Sequence, residues 1–175
     1  MVVDVIIPVY RPEREKLTKL IDWLNKQTVK PSHVFFMQTL VEEKEDEEVL
    51  QMLQKAENVE IVPIEKKDFD HGGTRNKGAA LSKADYMLFM TQDAVPVDAY
   101  LIENLVQAME EEEAATAYGR QLPDDTVGVI EHYTREFNYP AKSYVKSQKD
   151  LETMGIKTYF LSLIHISEPT RPISI

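Results

Sequence analysis

Four short apolar runs punctuate the first hundred residues, and between them apolar positions recur at helical spacing. Residues 2–10, VVDVIIPVY, form a near-continuous Val/Ile-rich run stopped by Pro8. Such a run predicts a strand buried on both faces, as in a parallel sheet. In residues 12–27, Leu17, Leu20, Ile21 and Leu24 share one face of a helix, with Trp23 at the edge of the stripe. HVFFMQ (33–38) reads as a second strand, and the segment through EEVLQMLQKAEN as a second helix with Val49, Met52 and Leu53 inward. VEIVPI (59–64) is the third strand, GGTRNKGAALSKA (72–84) a short helix of small residues opening at a Gly-Gly turn, and DYMLFMT (85–91) the fourth strand. VDAYLIENLVQAMEEEE (97–113) predicts a long amphipathic helix, with Asp98 placed to cap its start, and AATAYG (114–119) a fifth strand. Beyond it the pattern is irregular, with short helical pieces near 128–136 and 147–154.

Strands alternating with helices predict βαβ units and a mostly parallel α/β sheet. Ligands of such sheets sit outside the carboxyl ends of the strands. That rule draws attention to Tyr10, Gln38 and Asp93 at strand ends, and to His71–Asn76 at the start of a helix.

Composition narrows the classes. The chain has 175 residues, 43% hydrophobic and 29% charged, enough for a domain with a real core. The absence of cysteine excludes a disulfide scaffold and any Cys-ligated metal. No apolar run approaches the ~18 residues that span a bilayer, and the N-terminus lacks a signal-peptide pattern. A net charge of −10 argues against a nucleic-acid partner, because no counterion release is gained. The acidic runs EEKEDEE (42–48) and EEEE (110–113) read as solvated helix faces rather than metal sites.

The local motifs each admit two readings. In HGGTRN, Gly72 and Gly73 allow close backbone approach and positive φ, and the helix start offers free N–H groups to an anion. Arg75 adds a planar fork suited to phosphate, and Asn76 both donates and accepts. The bland alternative is a surface turn. Asp93 in TQDAVP suits Mg²⁺ or Mn²⁺ if a diphosphate supplies further oxygens, or is simply a turn residue. Pro8 and Tyr10 could wall a flat base, with Glu13 as a hydrogen-bond partner, or could belong to an ordinary strand-to-helix connection. Gln38 matches the mixed donor–acceptor edge of a pyrimidine imide, or merely ends a strand. His33 reads as the start of a strand, and His132 as a surface residue within reach of an acceptor.

In order, VIIPVYRPEREKLTKLIDWLNKQTVKP, FDHGGTRNKGAALSKADYMLFMTQDAVP, AYGRQLP, REFNYP and GIKTYF resemble the inverting family-2 glycosyltransferases of GT-A fold. The resemblance is greatest to the rhamnosyltransferase-like branch of bacterial surface polysaccharide assembly and covers roughly residues 2–160. It implies transfer of a sugar from a dTDP- or UDP-linked donor to a hydroxyl of a saccharide or lipid-linked saccharide. Asp93 falls at the metal-binding acidic position of the family's DxD-like motif, with Thr91 in place of the first Asp and Gln92 between them. Pro8, Tyr10, Glu13 and Gln38 match base-side positions, and Gln38 replaces the usual base-binding Asp. His71, Gly72, Gly73, Arg75 and Asn76 match the donor-side turn, and Arg120 and Gln121 lie where the chain enters the acceptor region. The resemblance further implies a cytoplasmic enzyme, or one peripheral at the inner face of the membrane.

The catalytic base of the family comes from a segment well after GIKTYF, so no residue here is assigned that role. LSLIHISEPTR (161–171) is the translation of a transposase-based sequencing-library adaptor. The expected organisation is therefore a donor-binding part over 1–160 and a non-native readthrough tail over 161–175. The competing function is an inactive sugar-nucleotide-binding fragment. A nucleotidyltransferase is disfavoured by the glycine-free turn after strand one, and a flavodoxin-like receiver by the absence of an acidic cluster there.

Overall fold

A computed structural model describes residues 1–122, 128–139 and 141–159 and the backbone of 165–167; the side chains of Glu131 and His132 lie outside it. Six strands form one sheet in the order β3-β2-β1-β4-β6-β5. They are β1 (Val3–Val9), β2 (His33–Thr39), β3 (Val59–Ile64), β4 (Tyr86–Phe89), β5 (Thr116–Tyr118) and β6 (His165–Ser167). The first four are parallel, whereas β6 runs antiparallel to both of its neighbours, β4 and β5. The expected parallel α/β sheet is present with one reversed strand in it. That strand falls within the segment read as a non-native tail.

The helices are α1 (Arg14–Asn25), α2 (Glu43–Leu53), α3 (His71–Leu81), α4 (Leu101–Glu111), α5 (Val129–Asn138) and the single turn α6 (Leu151–Met154). Strand β1 is buried along its whole length apart from half-buried Pro8, because helices cover both faces. One face packs on α1 through Leu17, Leu20, Ile21 and Leu24 and on α4 through Ile102, Leu105, Val106 and Met109. The other, centred on Ile6, Phe35, Met37 and Ile64, lies under α3. Edge strand β3 is only partly buried and tolerates Pro63, as an edge permits.

Three buried polar side chains join the elements. Asp4, 1% exposed, accepts from the His33 N–H at 3.1 Å and the Ser82 hydroxyl at 2.7 Å, and faces His33 Nδ1 at 3.0 Å. It thereby ties β1 to the start of β2 and the end of α3. Gln27, equally buried, donates to the carbonyls of Trp23 and Asp98 and accepts the Ile102 N–H. Asp98 does not cap α4 as expected: its carboxylate bonds the Tyr100 N–H just before the helix, which begins at Leu101. One N–H of the first turn of α4, that of Ile102, is satisfied instead by Gln27, just past the end of α1. The buried amide of Gln38 donates to the Asp46 carbonyl, and the Asp46 carboxylate takes the Val41 N–H, so α2 is fastened to the end of β2.

The acidic face of α2 is not wholly solvated. Glu45 lies 3.8 Å from Arg11, and Glu48 pairs with Arg14. Both arginines flank the turn after β1. No helix among the described residues is long and apolar enough to cross a membrane.

Candidate functional site

Strands β1, β2 and β4 all end at the same edge of the sheet, and the predicted residues collect there. Tyr10 follows β1, Gln38 is the penultimate residue of β2, and Gln92 and Asp93 lie in the turn after β4. Helix α3 starts at this edge because β3 delivers the chain to it. Gly78 then lets the helix lie against Ile6 and Met37, where an added Cβ would come within 2.6 Å of Ile6 Cγ2.

The Gly-Gly segment is not a turn with positive φ. His71, Gly72 and Gly73 form the first turn of α3, and Gly155 is the sole glycine with positive φ among the described residues. The reason lies one residue upstream. Asp70 is the N-cap, and its carboxylate accepts the Gly73 N–H. A helix start leaves the His71 and Gly72 N–H groups without intrahelical partners, at the positive end of the helix dipole. Arg75 spends one N–H on the His71 carbonyl at 2.9 Å, and the rest of its guanidinium has no partner among the described residues. Asn76 is exposed on the same helix.

Tyr10 is held from several sides. Its ring lies nearly parallel to Phe69, 6.4 Å between centroids, and Phe69 meets His71 edge-on at 5.1 Å. The Arg11 guanidinium stands 5.9 Å from the Tyr10 ring centroid, and Arg11 itself has φ +41°, a conformation that costs a non-glycine residue energy. Between the ends of β1 and β2 is a shallow depression of about 10 Å³, room for about one water molecule. Arg11, Pro12, Gln38, Thr39, Glu45 and Asp46 contribute to its lining.

Other predicted residues are differently engaged. Glu13 is exposed and paired with Lys16 of its own helix at 2.9 Å. Gln92 turns its amide onto the Tyr10 backbone. Asp93 is exposed and has neither an ion pair nor a side-chain hydrogen bond among the described residues. No group of three or more His, Asp or Glu suited to a metal occurs among those residues. A cation here therefore fits only as a joint ligand of Asp93 and an oxygen-rich substrate, the arrangement suited to Mg²⁺ and Mn²⁺.

Among the described residues, four buried hydroxyls have no hydrogen-bond partner, those of Thr39, Thr74, Thr91 and Thr158. The first three belong to the end of β2, the start of α3 and the residue before Gln92, whereas Thr158 lies in the turn over Gly155–Tyr159. Beyond β5, Gln121 accepts from Arg135 of α5 at 2.9 Å, and Arg120 is exposed. Nearby, Lys146 stands over the rings of Tyr118 and Tyr144. A hydrogen bond with Tyr118, then burial, raises the Tyr144 hydroxyl above the ordinary tyrosine value. The side chain of His132 lies outside the described residues.

Phe69, Asp70 and Arg11 were not singled out from sequence. Asp70 had a signal, an Asp immediately before a helix. Phe69 had none, since its partners come from β1 and from beyond a change of element.

The comparisons with known proteins bear on family and fold. Residues 4–167 match the family described as Glycosyl transferase family 2. The chain is 36% identical over 163 residues to the O-antigen chain rhamnosyltransferase RfbN of Salmonella typhimurium, covering 93% of this chain and 50% of that protein. It is 29% identical over 158 residues to the O-antigen chain rhamnosyltransferase WbaN of Salmonella anatum, covering 90% and 49%. Among solved structures, TarS 1–349 of S. aureus in complex with UDP-GlcNAc superposes with a TM-score of 0.56 at 19% identity, over 74% of this chain and 37% of that one. The mannosyltransferase PcManGT from Pyrobaculum calidifontis, in complex with GDP-Man and Mn²⁺, gives 0.55 at 14% identity, over 68% and 35%. These structures share the fold; the chain spans about half the length of the curated relatives it matches. With its family pattern running from β1 to β6, the chain belongs to glycosyl transferase family 2.

Proposed function

We propose that this chain forms the donor half of a sugar-transferring site, for a nucleoside diphosphate sugar of the rhamnose class linked to dTDP or UDP. The observation that carries the reading is the convergence of Tyr10, Gln38, the start of α3 and Asp93 at one sheet edge. The rhamnosyltransferase names of two relatives support the sugar class, and the nucleotide-sugar complexes of two structural neighbours support the donor type.

Each group has a part that its chemistry suits. Tyr10 offers a ring face to the base, and the shallow depression beside Gln38 lies next to it. The His71 and Gly72 N–H groups and the unspent guanidinium edge of Arg75 face negative charge that grows as the diphosphate departs. Asp93 would hold Mg²⁺ or Mn²⁺, which supplies positive charge to the leaving diphosphate. Arg120 and Gln121 border the saccharide or lipid-linked saccharide whose hydroxyl attacks. The base that takes the acceptor proton we assign to chain length that the relatives have beyond the matched half.

Calorimetric titration with dTDP and with UDP, each with and without Mn²⁺, tests the assignment against Asp93→Ala. The expected result is cation-dependent binding lost in the variant. A folded chain that gives no heat with either nucleotide rules the donor site out.

A further inference from the structure

Gln92 sits between Thr91 and the proposed cation residue Asp93, and its amide is closed on a single partner. Oε1 accepts the Tyr10 N–H at 2.7 Å, and Nε2 donates to the Tyr10 carbonyl at 3.0 Å. These are the two bonds that a neighbouring strand residue would make. They are supplied by a side chain because the backbone cannot supply them. The β1–β4 register ends at Ile6 opposite Phe89, with one further bond from the Met90 N–H to the Ile6 carbonyl. Pro8 has no N–H to continue the ladder. The Gln92 amide rejoins the two chains at Tyr10, four residues beyond Ile6.

Tyr10 is also the point at which the third element meets the site. Its ring stacks on Phe69, which lies next to the α3 cap Asp70 and edge-on to His71. The turn carrying Asp93, the aromatic wall after β1 and the start of α3 are thus joined through one residue. The following residue, Arg11, is held at φ +41°.

We infer that Gln92 is a positioning residue that couples the cation side of the site to the nucleoside side. The inference rests on the donor-site reading above. With the amide in place, ordering the Asp93 turn around a cation also orders Tyr10, so each binding event lowers the ordering cost of the other. Gln92 need not touch the donor to do this.

The test is the ratio of nucleotide affinities with Mn²⁺ and with EDTA, measured by calorimetry for the wild-type chain, Gln92→Met and Gln92→Glu. Met keeps length and bulk without either bond. Glu keeps the acceptor for the Tyr10 N–H and loses the donor to its carbonyl. Melting curves establish that each variant is folded, and the Glu variant serves if the Met variant is not. Coupling predicts that the Mn²⁺-dependent gain in affinity falls about tenfold in Gln92→Met and less in Gln92→Glu. It also predicts faster hydrogen exchange at the Tyr10 amide in Gln92→Met. Equal loss of affinity with and without Mn²⁺ would mean direct donor contact and overturn the inference, as would wild-type affinities in both variants. A wild-type chain that binds neither nucleotide refutes the donor-site reading itself, and the coupling falls with it.

Discussion

Gly78 has no room for a methyl group. Its added Cβ would stand 2.6 Å from Ile6 Cγ2 and 3.2 Å from the Met37 sulfur, both side chains fully buried. Ile6 is β-branched and fixed in a central strand, so it cannot swing aside. Gly78→Ala gains up to about 1 kcal/mol of helix propensity and loses about 1–3 kcal/mol to overpacking. The expected balance is destabilisation by about 1 kcal/mol, read as a lower urea midpoint. Gly119→Ala is the control, because its added Cβ would meet only Leu101 Cδ1, at an ordinary 3.6 Å. It should change the unfolding free energy by no more than about 0.5 kcal/mol. Since Gly78 sets how closely α3 approaches β1, the same substitution should also weaken nucleotide binding at the α3 start.

Elements were legible in proportion to how one-sided their environment is. The first four strands and helices α1, α2 and α4 appear where periodicity put them: β1 and β2 bury a continuous run and the helices a single stripe, while β3 and β4 are only partly buried. The start of α4 was misread because the group that satisfies it, Gln27, lies 75 residues from Ile102 along the chain. The Gln92 clamp on Tyr10 spans 82 residues, and the Ser82 bond to Asp4 spans 78. Periodicity reports burial and reports nothing about which distant polar group a buried amide meets. Local motifs therefore picked out residues that the fold brings to one edge but misjudged what several of them bond. Gln27 offers a direct check. Gln27→Leu preserves bulk and strands the Ile102 N–H and two carbonyls inside the protein. The expected cost is about 2–3 kcal/mol, measured by denaturant unfolding. Hydrogen exchange should quicken first in the opening turn of α4.

At the scale of the whole molecule, the two ends of the sheet are attached in different ways. Strands β1 to β4 are locked by side chains from both faces, and their order follows from the βα repeats. Among the described residues strand β5 has no ladder bond to that block; its ladder runs through the three residues of β6, and Ala117 packs on the core beside α4. Ile166→Pro removes a donor from the middle of that strand. It should release β5 while leaving the β1–β4 core intact, seen as loss of amide protection over Thr116–Tyr118 with the main unfolding transition little changed.

The place of β6 has a wider meaning for how this sheet accepts chain. A slot between two strands that both present unpaired N–H and C=O groups selects for backbone, and any short extended stretch free of proline satisfies it. The β4–β5 gap is closed in this way by main-chain pairing on both sides of His165–Ser167.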